Sequence, residues 1–199
     1  NVTTNNAREV FSKVPGVSVW ENEGSGIQIN VGVRGLSPNR SWELNTRQNG
    51  YDISSDIFGY PEAYYNPPLE AVDAIQLVRG GASLQFGSQF GGMLNYVLKR
   101  ESQKPFSFET QNTIGSYGLI SSYNAIGGTK NKFSYYVYNH YRIGKGWREN
   151  SDYEVRNSHA YIAYQFTPKT KLSLEYTNMD YEMQQAGGLT DAQFNDNPR

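Results

Sequence analysis

Residues 71–98 read Ala71-Val-Asp-Ala-Ile-Gln-Leu-Val-Arg79-Gly80-Gly81-Ala-Ser-Leu-Gln-Phe-Gly87-Ser-Gln-Phe-Gly91-Gly92-Met-Leu-Asn-Tyr-Val-Leu98. Two short apolar segments, Ala74 to Val78 and Met93 to Leu98, read as strands. Between them Gly80, Gly81, Gly87, Gly91 and Gly92 supply positions for positive φ or for close backbone approach. On their own, such glycines are as often ordinary loop punctuation.

Upstream, Leu69 to Val72 reads as a short helical turn after Pro67-Pro68. The stretch 41–68 is irregular and rich in aromatic residues. Ile27, Ile29, Val31 and Val33 alternate with polar or small residues, the period of a strand, and Val17 to Trp20 reads as another. Ala7, Val10, Phe11 and Val14 stand at helical spacing, so a helix is expected over 7–14, stopped by Pro15-Gly16.

Downstream, the charged stretch Lys99 to Pro105 marks a boundary, giving domains 1–103 and 104–199. Beyond it the period is two: Phe106 to Ile114, Phe133 to Ile143, Ala160 to Phe166 and Leu172 to Tyr176 alternate, with a weaker strand between Leu119 and Ile126. Segments of about ten residues suffice to cross an outer membrane when tilted. Thr129–Lys132 and Thr167–Thr170 are tight turns, whereas 144–152 and 183–199 are longer polar loops. That asymmetry is expected of an outer-membrane barrel, although the link at 115–118 is shorter than the scheme prefers. Alternation alone slightly favours a soluble antiparallel sheet with one wet face. Tyr117, Tyr153 and Phe166, near strand ends, are expected in interfacial girdles.

Composition narrows the classes. The 199 residues carry 18 Lys+Arg against 19 Asp+Glu, so no basic excess points to nucleic acid. Cysteine is absent, which removes disulfides and thiolate metal sites. Only 37% of residues are hydrophobic, with 16 Tyr and 20 Gly, which suits strands with one apolar and one polar face. No apolar run reaches the ~18 residues of a transmembrane helix, and Asn1 opens in polar sequence without a signal peptide. His140 and His159 fall on different strands without Cys or Glu-rich company, and read as polar residues facing a barrel interior. No nucleophile–base set or phosphate loop is present, so an enzyme is not expected.

Four ordered motifs carry a family resemblance over about half the chain. They are Val14-Pro15-Gly16-Val17, Val33-Arg34-Gly35-Leu36, the block from Ala71 to Gly87, and Gly91 to Val97. Together they resemble the plug domain of TonB-dependent outer-membrane transporters, nearest in wording to the ferric-citrate-receptor-like branch. Gln48-Asn49-Gly50-Tyr51 stands where the family has a Val-Asp-Gly turn, and Gly81 replaces the proline usual after Arg-Gly. The resemblance implies an α+β plug, a small mixed sheet with short helices. The first ~5 antiparallel strands of a large transmembrane β-barrel follow, in a fragment of a longer chain. Such barrels have about 22 strands, and a TonB box is expected outside this sequence.

The resemblance also implies roles. Arg34 and Arg79, at the ends of apolar strands, are positions where a buried charge needs a partner, and the resemblance implies pairing with wall glutamates contributed by later strands outside this sequence. With Gly35, Gly80, Gly81, Gly87, Gly91 and Gly92 they form the plug's structural and gating set. Substrate contacts are expected at Arg40, Trp42, Phe58, Tyr60, Tyr64, Tyr65, Gln89 and Phe90, since arginine pairs with carboxylates and aromatics offer flat contact. Taken singly, each aromatic more often packs the plug's own loops. The implied partners are a TonB-type energy-transducing protein on the periplasmic side and outer-membrane lipids, with no nucleic acid. The implied cargo is an iron chelate, a ferric siderophore or ferric citrate, and no bound cofactor is expected. A glycan importer with an accessory lipoprotein is the alternative within transport, and a soluble β-rich binding or adhesion module the alternative outside it.

Overall fold

A computed structural model describes residues 7–21, 26, 29–41, 43–54, 64–79, 91–100 and 102–199, apart from the side chains of Ala7 and Arg40. The chain divides into two compact units, Asn1–Leu98 and Lys99–Arg199.

In the first unit, helix α1 (Ala7–Ser12) precedes strands β1 (Val17–Glu21) and β2 (Ile29–Val33), an antiparallel pair in register from Val17↔Val33 to Glu21↔Ile29. The helix ends two residues before the expected Val14. Pro15 disfavours helical geometry at the residue before it, and the Ser12 hydroxyl donates to the Glu9 carbonyl at 3.1 Å. Strand β2 is buried on both faces rather than alternating. Its Gly32 allows this, because a Cβ there would lie 2.6 Å from the Leu36 carbonyl oxygen.

A second sheet has the order β4-β3-β6-β5. It comprises β3 (Leu44–Gln48), β4 (Tyr51–Asp52), β5 (Val72–Arg79) and β6 (Gly92–Leu98). β3 and β6 are parallel and the other pairings antiparallel, so the sheet is mixed, as expected. The 3-10 turn Leu69–Ala71 leads into β5. Phe11, Ile29, Val31, Val33, Leu44, Leu94 and Tyr96 form the core, joining α1 and both sheets.

β3 and β4 lie inside the stretch expected to be irregular. β3 escapes a hydropathy reading because Asn45, Thr46 and Gln48 are buried polar residues on a strand paired on both sides. The Asn49-Gly50 turn joins β3 to β4 with φ 52° and 91°, the left-handed pair that Asn-Gly favours. It is stitched to β6: Asn49 N donates to the Tyr96 carbonyl at 2.8 Å, Leu98 N to Asn49 Oδ1 at 2.9 Å, and Gly50 N to Asn95 Oδ1 at 2.9 Å.

The second unit is a five-stranded antiparallel meander of β7 (Ser107–Ile114), β8 (Ile120–Lys130), β9 (Phe133–Gly144), β10 (Tyr153–Thr167) and β11 (Thr170–Met183). The strand expected to be weak, β8, runs on through Gly127-Gly128 to Lys130. A Cβ on Gly128 would sit 2.2 Å from the Pro105 carbonyl oxygen, so glycine lets the incoming chain lie against the strand.

The segment 183–199 contains a short exposed helix, α2 (Asp191–Asp196), where only loop was expected. Its signal is Thr190-x-x-Gln193: Gln193 N donates to Thr190 Oγ1 at 3.3 Å and Thr190 N to Gln193 Oε1 at 2.9 Å, a capping box. Thr190→Ala is expected to unwind α2 locally at a cost of about 1 kcal/mol, read by amide exchange confined to residues 191–196.

Candidate functional site

Along most of β8, β9 and β10 one face is buried while the other is exposed or half-buried, in alternation. The exposed face carries the apolar residues. The register row Phe108–Ile126–Val137–Ala160–Tyr176 crosses all five strands. Below it lie Tyr135, Ile162 and Leu174, then Phe133, Tyr164 and Leu172, next to the two tight turns. Phe133–Tyr135 and Tyr164–Phe166 are close ring pairs, at 6.1 and 4.9 Å. A soluble sheet buries its apolar face; here that face is exposed, with Leu172 and Leu174 at 65% and 66%.

The apolar band is oblique. On β7–β9 it reaches the row Ile114–Ile120–Ile143. On β10 and β11 that row is Glu154–Glu182, and the apolar residues stop at Ala160 and Tyr176, three rows lower. Strands tilted about 40° from a membrane normal require such a slant, about 16 Å along the strands for a sheet some 19 Å wide. From Phe133 to Ile143, β9 rises about 33 Å, or about 25 Å along that normal, which matches a hydrocarbon band of about 25 Å. Thr110, Asn124, Asn139, Ser158 and Asn178 form a polar row that lies inside the band on β7–β9 and just above it on β10 and β11. Its members partner one another: Thr110 Oγ1 donates to Asn124 Oδ1 at 2.8 Å and Asn139 Nδ2 to Ser158 Oγ at 2.9 Å. Polar groups facing lipid need such internal partners.

The buried face is aromatic and polar. Tyr138 stacks on His159 at 5.2 Å and packs against Tyr123 at 5.5 Å. His140 Nε2 lies 3.0 Å from Ser121 Oγ, and His159 Nδ1 2.8 Å from Thr177 Oγ1. Both histidines are therefore structural partners on this face. Among the described residues no group of three His, Cys, Asp or Glu is placed to hold a metal. Tyr153, expected in a girdle, is instead buried here, because its position on β10 has the parity of Val155 and Asn157. Phe166 is exposed, and Tyr117 sits with φ 56° in the link between β7 and β8.

In the first unit a polar seam joins the sheet to the segment before β5. The Tyr65 hydroxyl donates to Gln48 Oε1 at 2.7 Å, Gln48 Nε2 bonds the Tyr51 hydroxyl, and Asn95 Nδ2 donates to Gln76 Oε1 at 2.9 Å. Tyr96, beside this seam, is 1% exposed and meets Phe11 edge-on at 6.5 Å. Burial, with a smaller contribution from Tyr65, holds the Tyr96 phenol well above its ordinary value. The unfolded chain then releases this proton first. The stabilising contribution is complete below about pH 10 and declines as pH rises above it. Tyr96→Phe is expected to flatten the loss of stability above about pH 10, measured by denaturant midpoints between pH 8 and 11.

Of the expected substrate contacts, Tyr64 and Tyr65 are half-buried, and Tyr65 is bonded into the seam. The Arg40 backbone lies in a 3-10 turn, Asn39–Ser41. Trp42, Phe58, Tyr60, Gln89 and Phe90 lie outside the described residues, as do Gly80, Gly81 and Gly87. Gln48 and Asn95, which sequence reading missed, anchor the seam; polar residues inside short strands gave no hydropathy signal.

Arg34 and Arg79 are exposed in this structure, which describes five wall strands and not the later ones expected to carry their glutamate partners. Arg34 lies past the strand end with φ 60°, followed by Gly35 at φ 79°, in a turn closed by Leu36 N to the Val33 carbonyl at 3.1 Å. Arg79 ends β5 with its guanidinium donating to the Pro15 carbonyl at 2.7 Å. Gly91 and Gly92 fill tight positions: added Cβ atoms would lie 2.5 Å from the Glu43 carbonyl oxygen and 2.1 Å from that of Val78.

A mixed α+β unit joined directly to an antiparallel wall with an oblique exposed apolar band defines a membrane-barrel protein with an N-terminal globular domain. Residues 1–93 match the TonB-dependent Receptor Plug Domain, and the chain is located in the bacterial outer membrane. An iron-regulated outer membrane virulence protein of Vibrio cholerae is 29% identical over 106 residues, covering 48% of this chain and 15% of that protein. Three solved structures share the fold. The siderophore receptor PirA from Pseudomonas aeruginosa has a TM-score of 0.68 at 19% identity, over 91% of this chain and 33% of that one. The copper transporter OprC has 0.72 at 16%, over 92% and 29%. The ferripyoverdine receptor of Pseudomonas aeruginosa has 0.70 at 19%, over 89% and 23%. The chain thus spans a third or less of the length of these similar proteins.

Proposed function

We propose that the complete protein takes up a scarce nutrient across the outer membrane, an iron chelate such as a ferric siderophore or ferric citrate. The observation that carries this is the plug-domain match over 1–93 followed by a wall with an oblique lipid-facing band. The names of the similar proteins support the cargo class: an iron-regulated outer-membrane protein, a siderophore receptor and a ferripyoverdine receptor. In this reading the ligand binds on the plug's outer loops, with Arg40, Trp42, Phe58, Tyr60, Tyr64, Tyr65, Gln89 and Phe90 as candidate contacts. A TonB-type partner then pulls on the plug from the periplasm. Loops that carry the plug's glycines are the segments expected to rearrange first. Energy enters mechanically, so no nucleotide site is required.

The test is calorimetric titration of the full-length protein with ferric citrate, a ferric siderophore, haem and oligosaccharides. Saturable binding of an iron chelate is expected. Tight oligosaccharide binding with no chelate bound would overturn the assignment in favour of a glycan importer.

A further inference from the structure

The plug's last strand ends at Leu98, and the next two residues are cations that reach opposite edges of the wall. Lys99 Nζ donates to both carboxylate oxygens of Glu109 on β7, at 2.8 and 2.9 Å. Arg100 Nη2 donates to Glu175 Oε2 on β11 at 3.0 Å, and its guanidinium lies 5.4 Å from the centre of the Tyr161 ring on β10. β7 and β11 are the two edges of the five-stranded sheet, some 19 Å apart if it were flat. Two consecutive side chains thus tie the first and last strands of the sheet to one point of the chain. Further along, Thr129 N donates to the Lys104 carbonyl at 2.8 Å, and Gly128 leaves room for Pro105. The connector is therefore held to the wall at both ends, by charge at its start and by backbone at its finish.

We propose that Lys99 and Arg100 are positioning residues for transport: a two-point anchor that fixes the plug's C-terminal exit to the wall while the plug is pulled. This rests on the proposed uptake function. A pull applied through the N-terminal side needs a fixed point to work against, or the connector peels from β8 and the displacement is lost. A held end also shortens the search by which the plug re-forms after each cycle, because loop-closure cost rises with free length. Exposed ion pairs are individually weak. Here Glu175 is only 15% exposed, and the two pairs share one short segment.

The test uses the full-length receptor. In Glu109→Gln/Glu175→Gln, surface binding of ferric chelate is expected within twofold of wild type while uptake falls about tenfold, as expected for a conformational rather than a binding defect. Glu109→Lys should lose uptake, and adding Lys99→Glu to it should restore most of it. Equal uptake in wild type and the double Gln variant would overturn the anchor, as would failure of the charge swap in a correctly folded barrel. A second measurement is independent of ligand: purified receptor is pulled from its N-terminus by a single-molecule tether. Wild type should stop extending at residue 99. The double Gln variant should extend about 17 Å further, the length of residues 99–103 up to the backbone hold at Lys104. Identical final extensions would sink the anchor. Failure of the wild type to bind any chelate would sink the uptake function alone, leaving the pulling result to stand.

Discussion

Gly92→Val in the full-length receptor is expected to abolish the protease-resistant fold of the N-terminal unit. Gly92 opens β6 at φ 122°, where side chains are rarely tolerated, and an added Cβ would lie 2.1 Å from the Val78 carbonyl oxygen and 3.1 Å from its carbon. Those atoms belong to β5, paired with β6 through Val78↔Met93 and Arg79↔Gly92, so relief means breaking the ladder. β6 sits between β3 and β5 and supplies Leu94 and Tyr96 to the core. Strain and overpacking at such a position cost of order 3 kcal/mol or more, a large part of the 5–15 kcal/mol by which a domain is stable. Gly35→Ala is the matched control: its φ is 79°, but an added Cβ meets nothing within 4 Å. It is expected to cost about 1 kcal/mol from backbone strain alone. Limited proteolysis of the two variants should separate them, with Gly92→Val degraded and Gly35→Ala protected.

The second large effect concerns the wall. Val137→Arg is expected to destabilise the full-length receptor in lipid vesicles by about 2–4 kcal/mol, the cost of a cation near the bilayer midplane. Val137 lies on the middle strand, in the apolar row that crosses all five. Glu154→Arg, on the same face but at the charged upper end of β10, should cost about 0–1 kcal/mol, as at a membrane interface. Denaturant unfolding in vesicles reads both. Equal effects at the two positions would mean that the face does not meet lipid.

The parts of the fold visible in the sequence share a physical cause. Glycines at 91 and 92 stand where the backbone of a neighbouring strand leaves no room for a Cβ, so the motif records a packing constraint. The wall strands alternate because one face is exposed and apolar while the other is buried and polar, and that period survives in the residues. β3 was not visible, because its burial is satisfied by amide and hydroxyl partners: Gln48 with Tyr51 and Tyr65, and Asn45 with Asp52. Hydropathy has no signal for a strand built that way. α2 announced itself only through the Thr190–Gln193 cap, a local pattern inside a polar loop. Arg34 stands in a turn with two left-handed residues, a placement that strand periodicity does not predict. Of the expected ligand contacts, the sequence supplied residue types, and only Tyr64 and Tyr65 can be placed with their side chains.

The central claim, that this chain brings a plug together with a lipid-facing wall, is tested most directly on β10. The chain has no cysteine, so single substitutions at residues 160–164 of the full-length receptor give clean labelling sites. Spin labels at these positions, in vesicles, are read by collision with oxygen, which partitions into lipid, and with a water-soluble nickel chelate. High oxygen and low nickel collision at 160, 162 and 164, with low oxygen collision at 161 and 163, is the predicted result. Ready nickel access at 160, 162 and 164 would contradict it, and would make the second unit a water-soluble sheet.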